Sequence, residues 1–238
     1  MLKKILFDEI SKLNISLSEY QAEQFICYFD LLIQWNKVMN LTGITEYKEV
    51  VQKHFIDSLS IVKAFDQECF HEGTSMIDIG TGAGFPGIPL KIAFPNLKIT
   101  LLDSLNKRIN FLNEVISSLS LDNIETVHGR AEDFSKQTEY REKFNFAVSR
   151  AVSNLSTLSE YCLPFVKVDG YFISYKSEKA DEELKMADNA IVTLGGKFEN
   201  KKDFDLYGNF RNLIIIKKVN PTPSKFPRKS GLALKKPL

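Results

Sequence analysis

The chain has 238 residues, of which 44% are hydrophobic and 26% are charged, as is typical of one large globular domain or of one domain with a small appendage. Its three cysteines, Cys27, Cys69 and Cys162, are widely spaced, which disfavours a disulfide framework or a zinc site and favours a reducing compartment. Apolar runs stay short of the roughly 20 residues of a membrane span, and Asp8 and Glu9 interrupt the apolar start before a signal-peptide core can form. We therefore expect a cytoplasmic protein without a metal or a membrane contact.

The net charge of +1 hides an uneven distribution of charge. Residues 1–72 carry 7 basic and 11 acidic side chains, whereas residues 197–238 carry 11 basic and 3 acidic ones. From Lys217 to Leu238 there are seven basic residues and no acid. Such a block either stays solvated or meets a polyanion. Three prolines and Phe226 among these cations indicate an ordered extended segment and favour a role in contacting RNA.

The first 72 residues are predicted to form a helical N-terminal subdomain. Apolar side chains recur at helical spacing between Ala22 and Ile33. Ser18 and Gln21 form a capping-box pattern just before that run. A second helical stretch is predicted over about 48–65.

After residue 73, short apolar runs alternate with helical stretches, which predicts a parallel sheet with helices on both faces. The predicted strands are Ser75–Ile79, Ile99–Leu102, Ile124–His128, Phe144–Val148 and Tyr171–Tyr175. The predicted helices are Gly87–Phe94, Lys107–Leu119, Asn154–Phe165 and Glu178–Leu194. Two last strands, Lys197–Phe204 and Leu213–Val219, follow each other without a helix and should pair antiparallel at one edge of the doubly wound sheet. The sheet domain is predicted to span 73–220, with 221–238 as a basic tail packed on or beside it.

The strongest local signal is the glycine-rich run DIGTGAGFPG at 78–87, between a predicted strand and a predicted helix. Glycines are needed where the backbone turns sharply and a ligand approaches without a Cβ in the way. Gly82, Gly84 and Gly87 match the G-x-G-x-x-G pattern of dinucleotide-binding proteins. Gly80, with the first two of these, equally matches the G-x-G-x-G loop of S-adenosylmethionine (AdoMet) methyltransferases.

Neighbouring residues favour AdoMet. Asp103 ends the next predicted strand and can accept hydrogen bonds from the ribose of either cofactor. Asp78 places an acid where dinucleotide-binding proteins have an apolar residue, and an acid suits a ligand with a cationic amino-acid group. Pro86 and Pro89 remove N–H donors that a pyrophosphate would use at the start of the helix, whereas AdoMet has no phosphate. An NAD-binding oxidoreductase remains the alternative.

Further motifs carry a resemblance to a known family. They are Trp35-Asn36 with Asn40-Leu41-Thr42, His54-x-x-Asp57-Ser58-Leu59, Lys107-Arg108, Gly129-Arg130-Ala131-Glu132, Ser149-Arg150-Ala151 and Pro223-x-x-Phe226-Pro227-Arg228-Lys229-x-Gly231. Together with the glycine loop they resemble the RsmG family, formerly called glucose-inhibited division protein B, from about residue 35 to the end. The resemblance implies a class I AdoMet-dependent methyltransferase fold, with seven strands of which the last is antiparallel. It also implies methyl transfer to N7 of one guanine in the decoding region of bacterial 16S rRNA.

The resemblance also implies a set of cofactor contacts, namely Gly80, Phe85, Ala131, Glu132 and Arg150. Arg150 is expected either to pair with the AdoMet carboxylate or to orient the target. The local sequence adds Asp103 as a ligand of the ribose. It also adds Asp78, Gly82 and Gly84 as further candidates for cofactor contact. Family-signature residues in the helical part, Trp35, Asn40, Thr42, His54 and Asp57, are expected to attach that part to the sheet domain.

RNA contact is expected from basic residues near strand ends and in the tail, namely Lys107, Arg108, Arg130, Lys176, Arg211, Lys225, Arg228 and Lys229. An exposed guanine can stack on Phe85 or Phe226. The expected partner is 16S rRNA or the small ribosomal subunit, and we expect the protein to be a monomer.

The predicted chemistry is an in-line SN2 transfer. Guanine N7 has a free lone pair and no proton, so no general base is needed and positioning must supply most of the acceleration. Exocyclic-amine methyltransferases usually carry Asn/Asp-Pro-Pro-aromatic where this chain has Ser149-Arg150-Ala151, and Cys162 is expected in the core rather than as a nucleophile. A small-molecule methyltransferase and a non-catalytic RNA-binding protein remain open as alternatives.

Overall fold

The residues that the structure describes build one seven-stranded sheet. A computed structural model of the protein describes residues 1–150, 153–177 and 180–238. The strands are β1 (Ser75–Ile79), β2 (Lys98–Asp103), β3 (Ile124–His128), β4 (Phe144–Ser149), β5 (Val166–Lys176), β6 (Gly196–Leu206) and β7 (Asn209–Lys218). They lie in the order β3-β2-β1-β4-β5-β7-β6. The first five strands of the chain pair in parallel, and β7 is antiparallel to both β5 and β6, which confirms the predicted doubly wound sheet.

The two last strands form an antiparallel pair at one edge of the sheet, as the sequence predicts. Strand β6 forms the edge, and a tight turn with positive φ at Tyr207 and Gly208 returns the chain as β7 between β6 and β5. This placement follows from burial. Residues 213–216, Leu-Ile-Ile-Ile, are buried, whereas most of β6 is exposed and charged. A charged strand tolerates the edge, where its free backbone groups face water.

Ten α-helical segments accompany these strands in the described residues. They are α1 (Leu2–Ile10), α2 (Glu19–Asn36), α3 (Tyr47–Val50), α4 (Asp57–Leu59), α5 (Gly87–Ala93), α6 (Asn106–Ser118), α7 (Ala131–Phe134), α8 (Leu155–Cys162), α9 (Ala180–Thr193) and α10 (Leu232–Lys235). A π-helical turn (Val51–Ile56) joins α3 to α4, so the predicted second helical stretch is continuous from 47 to 63. The predicted start of the fourth sheet-domain helix at Glu178 lies outside the described residues.

The N-terminal helices share a hydrophobic core with one face of the sheet. Helix α2 begins with the predicted capping box, in which Ser18 and Gln21 bond each other's backbone. Its fully buried Phe25 and Tyr28 face the sheet domain, and Gln24 donates a hydrogen bond of 2.8 Å to the Leu119 carbonyl. The helices of 1–72 are thereby fixed against the glycine loop and the elements that follow it.

The opposite face of the sheet is covered by a second core, to which α8 and α9 contribute. Cys162 is fully buried there, which confirms its predicted place in the core. Phe226 of the C-terminal segment is also part of this core, with only 4% of its surface exposed. No helix of the described residues combines the length and the apolar composition needed to cross a membrane.

Candidate functional site

A cavity of about 780 Å³ lies at the carboxyl ends of β1 to β4. Because the strand order is β3-β2-β1-β4, residues that follow these strands form a row: Glu132 after β3, Asp103 at the end of β2, Gly80 after β1 and Arg150 after β4. Open α/β sheets bind ligands in such a crevice, where the strand order reverses. The volume lies within the usual range of small-molecule and cofactor sites.

The cavity brings together most of the predicted cofactor residues. Its wall includes Gly80, Gly82, Phe85, Asp103, Ala131, Glu132 and Arg150. The wall also contains residues that sequence reasoning did not assign to the cofactor, namely Leu41, His54, Ser104, Arg108, Tyr161, Ser230, Gly231 and Leu234. Several of these residues belong to the family motifs, and this membership could have indicated that they lie at the cavity. Ala151, the last residue of one motif, lies outside the described residues.

The glycine loop turns sharply above the sheet. Gly80 and Gly82 have φ values of 70° and 62°, in the left-handed region where a side chain is strained. A Cβ added at Gly82 would meet nothing closer than the Gly80 carbonyl oxygen at 4.0 Å, so it would project into open space. The N–H groups of Gly80 and Thr81 donate to the Leu102 carbonyl at 2.9 and 3.2 Å, which ties the loop to the end of β2.

Asp103 fixes the loop and lines the cavity at the same time. Its Oδ2 accepts hydrogen bonds from the Gly82 N–H at 2.9 Å and from Arg108 at 3.2 Å. Its Oδ1 accepts from the Leu105 N–H at 2.9 Å. The side chain is 3% exposed. Since each carboxylate oxygen accepts about two hydrogen bonds, Oδ1 keeps acceptor capacity for a ligand hydroxyl.

Asp78 and Gly84, two of the predicted candidates, lie beneath the loop rather than on the cavity wall. The fully buried Asp78 accepts hydrogen bonds from the Thr81 hydroxyl at 2.7 Å and from the Gly87 N–H at 2.9 Å. Burial raises the pKa of Asp78 to about 6. A Cβ at Gly84 would approach the Tyr28 hydroxyl to 2.9 Å. Both residues therefore shape the loop from below, which corrects their predicted role as ligands.

Arg150 is the centre of a cluster at the β4 end of the cavity. It donates to Asp57 at 2.8 Å and approaches Nδ1 of His54 at 3.3 Å. Its guanidinium lies over the Phe85 ring, 4.8 Å from the centroid. Arg211 of β7 forms a second ion pair with Asp57 at 3.4 Å. The cluster joins the N-terminal helices to the sheet domain, which confirms the attaching role predicted for His54 and Asp57.

His54 is held as a neutral ring in this cluster. It stacks on Phe85 with 4.7 Å between ring centroids, and its Nε2 lies 2.8 Å from the Thr42 hydroxyl. Burial and the neighbouring Arg150 guanidinium lower the pKa of His54 to about 3. A proton acceptor with this pKa is a weak base at neutral pH.

The low pKa of His54 makes protein stability depend on pH. An unfolded histidine titrates near pH 6.5, so between about pH 6.5 and pH 3 the unfolded state binds more protons, and stability falls as pH falls. We expect the wild type to lose about 2 kcal/mol more unfolding free energy than His54→Gln between pH 7 and pH 5. Urea denaturation at both pH values measures the difference.

Comparing the wild type with His54→Gln separates the contribution of His54 to the pH dependence of stability from that of Asp78. The raised pKa of Asp78 has the opposite effect on stability. Its carboxyl keeps the proton to a higher pH in the folded than in the unfolded protein, so the folded protein loses stability as pH rises through about 4 to 6. Asp78 is present in both proteins and cancels in the difference. Equal pH dependence in the two proteins would show that His54 is not buried as a neutral ring.

The predicted RNA-contact residues divide into two groups. Four of them are held in ion pairs: Arg108 with Asp103, Lys176 with Glu183, Arg211 with Asp57 and Arg228 with Glu160. The other four have exposed side chains: Lys107, Arg130, Lys225 and Lys229. The prediction that Phe226 stacks on a base is wrong, because its ring is buried in the core. Phe85 lines the cavity in contact with His54 and Arg150.

Comparison with known proteins relates this site to a family. The GidB family model, described as rRNA small subunit methyltransferase G, matches residues 21–208. Ribosomal RNA small subunit methyltransferase G of Lachnoclostridium phytofermentans is 55% identical over 231 residues, which cover 96% of this chain and 94% of that protein. The protein of the same name from Alkaliphilus metalliredigens is 50% identical, with coverage of 99% and 98%.

Solved structures show the same fold at low sequence identity. Fibrillarin from Aeropyrum pernix, crystallised with natively bound S-adenosyl-L-methionine, superposes with a TM-score of 0.52 and 14% identity, covering 68% of this chain and 73% of that chain. The family assignment decides between the two interpretations of the glycine loop in favour of a methyltransferase. The motifs predicted this result, and the chain belongs to the rRNA small subunit methyltransferase G family.

Proposed function

We propose that this protein transfers a methyl group from AdoMet to N7 of one guanine in the decoding region of bacterial 16S rRNA. The observation that carries the proposal is the cavity across four strand ends, with the glycine loop and Asp103 at its centre, in a chain of this family. The guanine, its N7 atom and the decoding region come from the resemblance of the sequence motifs.

The residues of the cavity fit AdoMet. Asp103 offers an acceptor for ribose hydroxyls beside the open space at Gly82. At one end the Arg150 guanidinium suits a carboxylate, and at the other end Ala131 and Tyr161 offer an apolar surface to a purine. Pro86 stands at the N-cap of α5, where it supplies no N–H to a pyrophosphate. The donor set therefore suits a nucleoside with an amino acid better than a dinucleotide.

Positioning by this chain is the proposed source of the acceleration. AdoMet, when bound here, would supply an electrophilic methyl group on a sulfonium for an acceptor nitrogen. Phe85 contacts both the His54 ring and the Arg150 guanidinium, which also contact each other, and it supplies a fixed apolar wall beside the reacting atoms. Fixing two reactants in a near-attack geometry is worth up to about 7–11 kcal/mol of a barrier.

The titratable groups at this end of the cavity agree with an acceptor that carries no proton. Both ring nitrogens of His54 contact neighbours, and its pKa is about 3. The Asp57 carboxylate is paired with Arg150 and Arg211. Neither His54 nor Asp57 is therefore placed to remove a proton from the acceptor. Guanine N7 needs no such base.

A second cavity adjoins the first one. It measures about 690 Å³ and shares His54, Arg150 and Ser153 with the first. Its wall also carries the basic side chains of Lys53 and Lys176. We propose that the guanine enters through this second cavity and that the backbone phosphates follow the basic residues around it. Single bases are commonly splayed out of RNA in this way for recognition.

Exposed lysines of the C-terminal segment are expected to contribute to RNA affinity through phosphate contacts. Lys225→Glu and Lys229→Glu should each weaken rRNA binding and lower the slope of log K against log[salt] by about 1. Filter binding of 16S rRNA between low and moderate salt measures both effects. As the control, Lys185→Glu changes an exposed lysine on α9 and should leave the slope unchanged. An unchanged slope in all three variants would remove this segment from the RNA interface.

The proposed function is tested by methyl transfer from tritiated AdoMet. The purified protein is incubated with 16S rRNA or 30S subunits from a strain that lacks this family's gene, and the modified base is mapped and identified by mass spectrometry. The expected product is 7-methylguanosine at one position of the decoding region. The same rRNA from a strain that retains the gene should accept little label. Label on another atom, on another RNA or nowhere would contradict the proposal.

A further inference from the structure

The C-terminal segment, residues 221–238, is fixed to the sheet domain by buried contacts. The Arg228 guanidinium bonds Glu160 at 2.9 and 2.6 Å, and the Arg228 N–H donates to the same carboxylate at 2.7 Å. Glu160 is 1% exposed. Arg141 donates to the carbonyls of Thr222 and Phe226 at 2.7 and 3.0 Å. Charge-assisted hydrogen bonds of this kind are the strong ones, so the path of the segment is well defined.

Beyond this anchor the chain passes along the cofactor cavity. Gly231 turns the backbone with a φ of 76°, and its N–H donates to Glu132 at 3.0 Å. The Ser230 hydroxyl lies 2.6 Å from Arg130. The Thr157 hydroxyl donates to the Ala233 carbonyl at 3.1 Å, which holds α10 against α8. Two residues of the Gly-Arg-Ala-Glu motif after β3 thus bind the C-terminal segment directly.

The strand order shows which end of the cavity this is. Glu132 follows β3 and Arg150 follows β4, with β2 and β1 between them. If Asp103 at the end of β2 takes the ribose and Arg150 takes the carboxylate, the adenine lies toward Ala131 and Glu132. Ser230, Gly231 and Leu234 line the cavity and are joined to this end.

Leu234 is an exposed apolar side chain on the cavity wall, where a bound ligand would cover it. It is 58% exposed although it is a large apolar side chain, and it lines the cavity together with Tyr161. Tyr161 is half-buried, and burial raises the pKa of its phenol to about 12, with a further contribution from Glu132. A flat apolar ring between these side chains would remove apolar surface from water.

We propose that Ser230, Gly231 and Leu234 form the outer wall of the adenine end of the cofactor site, so that the C-terminal segment determines affinity for adenine nucleosides. The inference rests on the proposed function, because it requires AdoMet in this cavity. It gives the C-terminal segment a role besides RNA contact. Because coupling between two sites is reciprocal, a bound nucleoside should also stabilise the segment.

The test is calorimetric titration of Leu234→Ala with S-adenosylhomocysteine and, separately, with adenosine, which lacks the amino acid. Both ligands should bind about five- to tenfold more weakly than to the wild type, and by the same factor. Leu232→Ala is the matched control, because Leu232 lies on the same short helix, is 38% exposed and is not part of the cavity wall. Its affinities should equal those of the wild type.

A second measurement does not depend on a variant. Hydrogen exchange of the Gly231 and Leu232 to Lys235 amides should slow at least about tenfold when S-adenosylhomocysteine saturates the wild-type protein. Unchanged affinities in Leu234→Ala, a loss confined to S-adenosylhomocysteine, or unchanged exchange would each overturn the inference while the proposed function stands. A wild type that binds neither ligand would instead overturn the proposed function and, with it, this inference.

Discussion

Asp103→Ala is expected to weaken S-adenosylhomocysteine binding by at least about 100-fold, or about 3 kcal/mol. The reason is that one carboxylate does two things. It accepts hydrogen bonds from Gly82, Leu105 and Arg108, and it faces the cavity where the ribose is proposed to bind. Hydrogen bonds to a charged group are worth about 1.5–3 kcal/mol each, and without the carboxylate the glycine loop loses the hydrogen bond at Gly82. Isothermal calorimetry on the purified variant measures the change.

The control for this variant is Asp188→Ala, which removes an exposed carboxylate from α9, far along the chain from the glycine loop. It should bind the ligand as the wild type does. Asp103→Asn adds a finer test, because the amide keeps the size and one acceptor oxygen but loses the charge. We expect an intermediate affinity. If Asp103→Ala bound S-adenosylhomocysteine within a factor of about three of the wild type, the carboxylate would have no part in the site.

Asp57→Ala is expected to lower the free energy of unfolding by about 3–5 kcal/mol. Asp57 is 4% exposed and forms ion pairs with both Arg150 and Arg211. Removing the carboxylate leaves two guanidinium groups together in a partly buried cluster without their counter-charge, and an uncompensated buried charge is costly. Because Arg150 then loses its position over Phe85, methyl transfer should fall as well. Urea denaturation and the transfer assay measure the two effects.

An exposed ion pair provides the comparison for Asp57. Asp203 pairs with Lys201 on β6, and its side chain is 42% exposed. Exposed pairs contribute about 0–1 kcal/mol, so Asp203→Ala should remain within about 1 kcal/mol of the wild type in unfolding free energy. If both aspartate variants lost the same small amount, the Asp57 cluster would be an ordinary surface ion pair and its proposed part in positioning Arg150 would fail.

Local sequence patterns predicted the strands, the helices and the glycine loop with Asp103, whereas the cavity residues Phe85, Ala131, Glu132 and Arg150 came from the family resemblance. The Ser18 capping box, the glycine loop and the acid at the end of β2 are short-range signals with direct physical causes. Parallel strands with intervening helices place their carboxyl ends on one side of a sheet, where Glu132, Asp103, Gly80 and Arg150 lie. Their order along the sheet follows from the strand order β3-β2-β1-β4, which the sequence analysis did not predict.

The position of β7 could not be predicted in the same way. A hairpin can add to a sheet through either of its strands, and the sequence analysis predicted the antiparallel pair at the edge without predicting which strand is outermost. The four consecutive apolar residues 213–216 were the signal that this strand is buried on both sides, whereas the charged residues of β6 suit an edge.

The role of individual basic residues was the least predictable part of the site. A basic residue near a strand end has the same local pattern whether it faces RNA or an internal carboxylate. Arg228 meets Glu160, 68 residues earlier, and Arg150 meets Asp57, 93 residues earlier. These pairings depend on tertiary packing, which a count of charges in the tail does not contain. The same holds for Phe226, an aromatic residue that serves the core and not a base.

A crystal structure of the protein with S-adenosylhomocysteine tests the central claim most directly. The account predicts electron density in the cavity at the ends of β1 to β4, with ribose hydroxyls at Asp103, the amino acid toward Arg150 and the adenine between Ala131 and Leu234. Density at another place, or a cavity that remains empty of ligand while calorimetry detects binding, would contradict it.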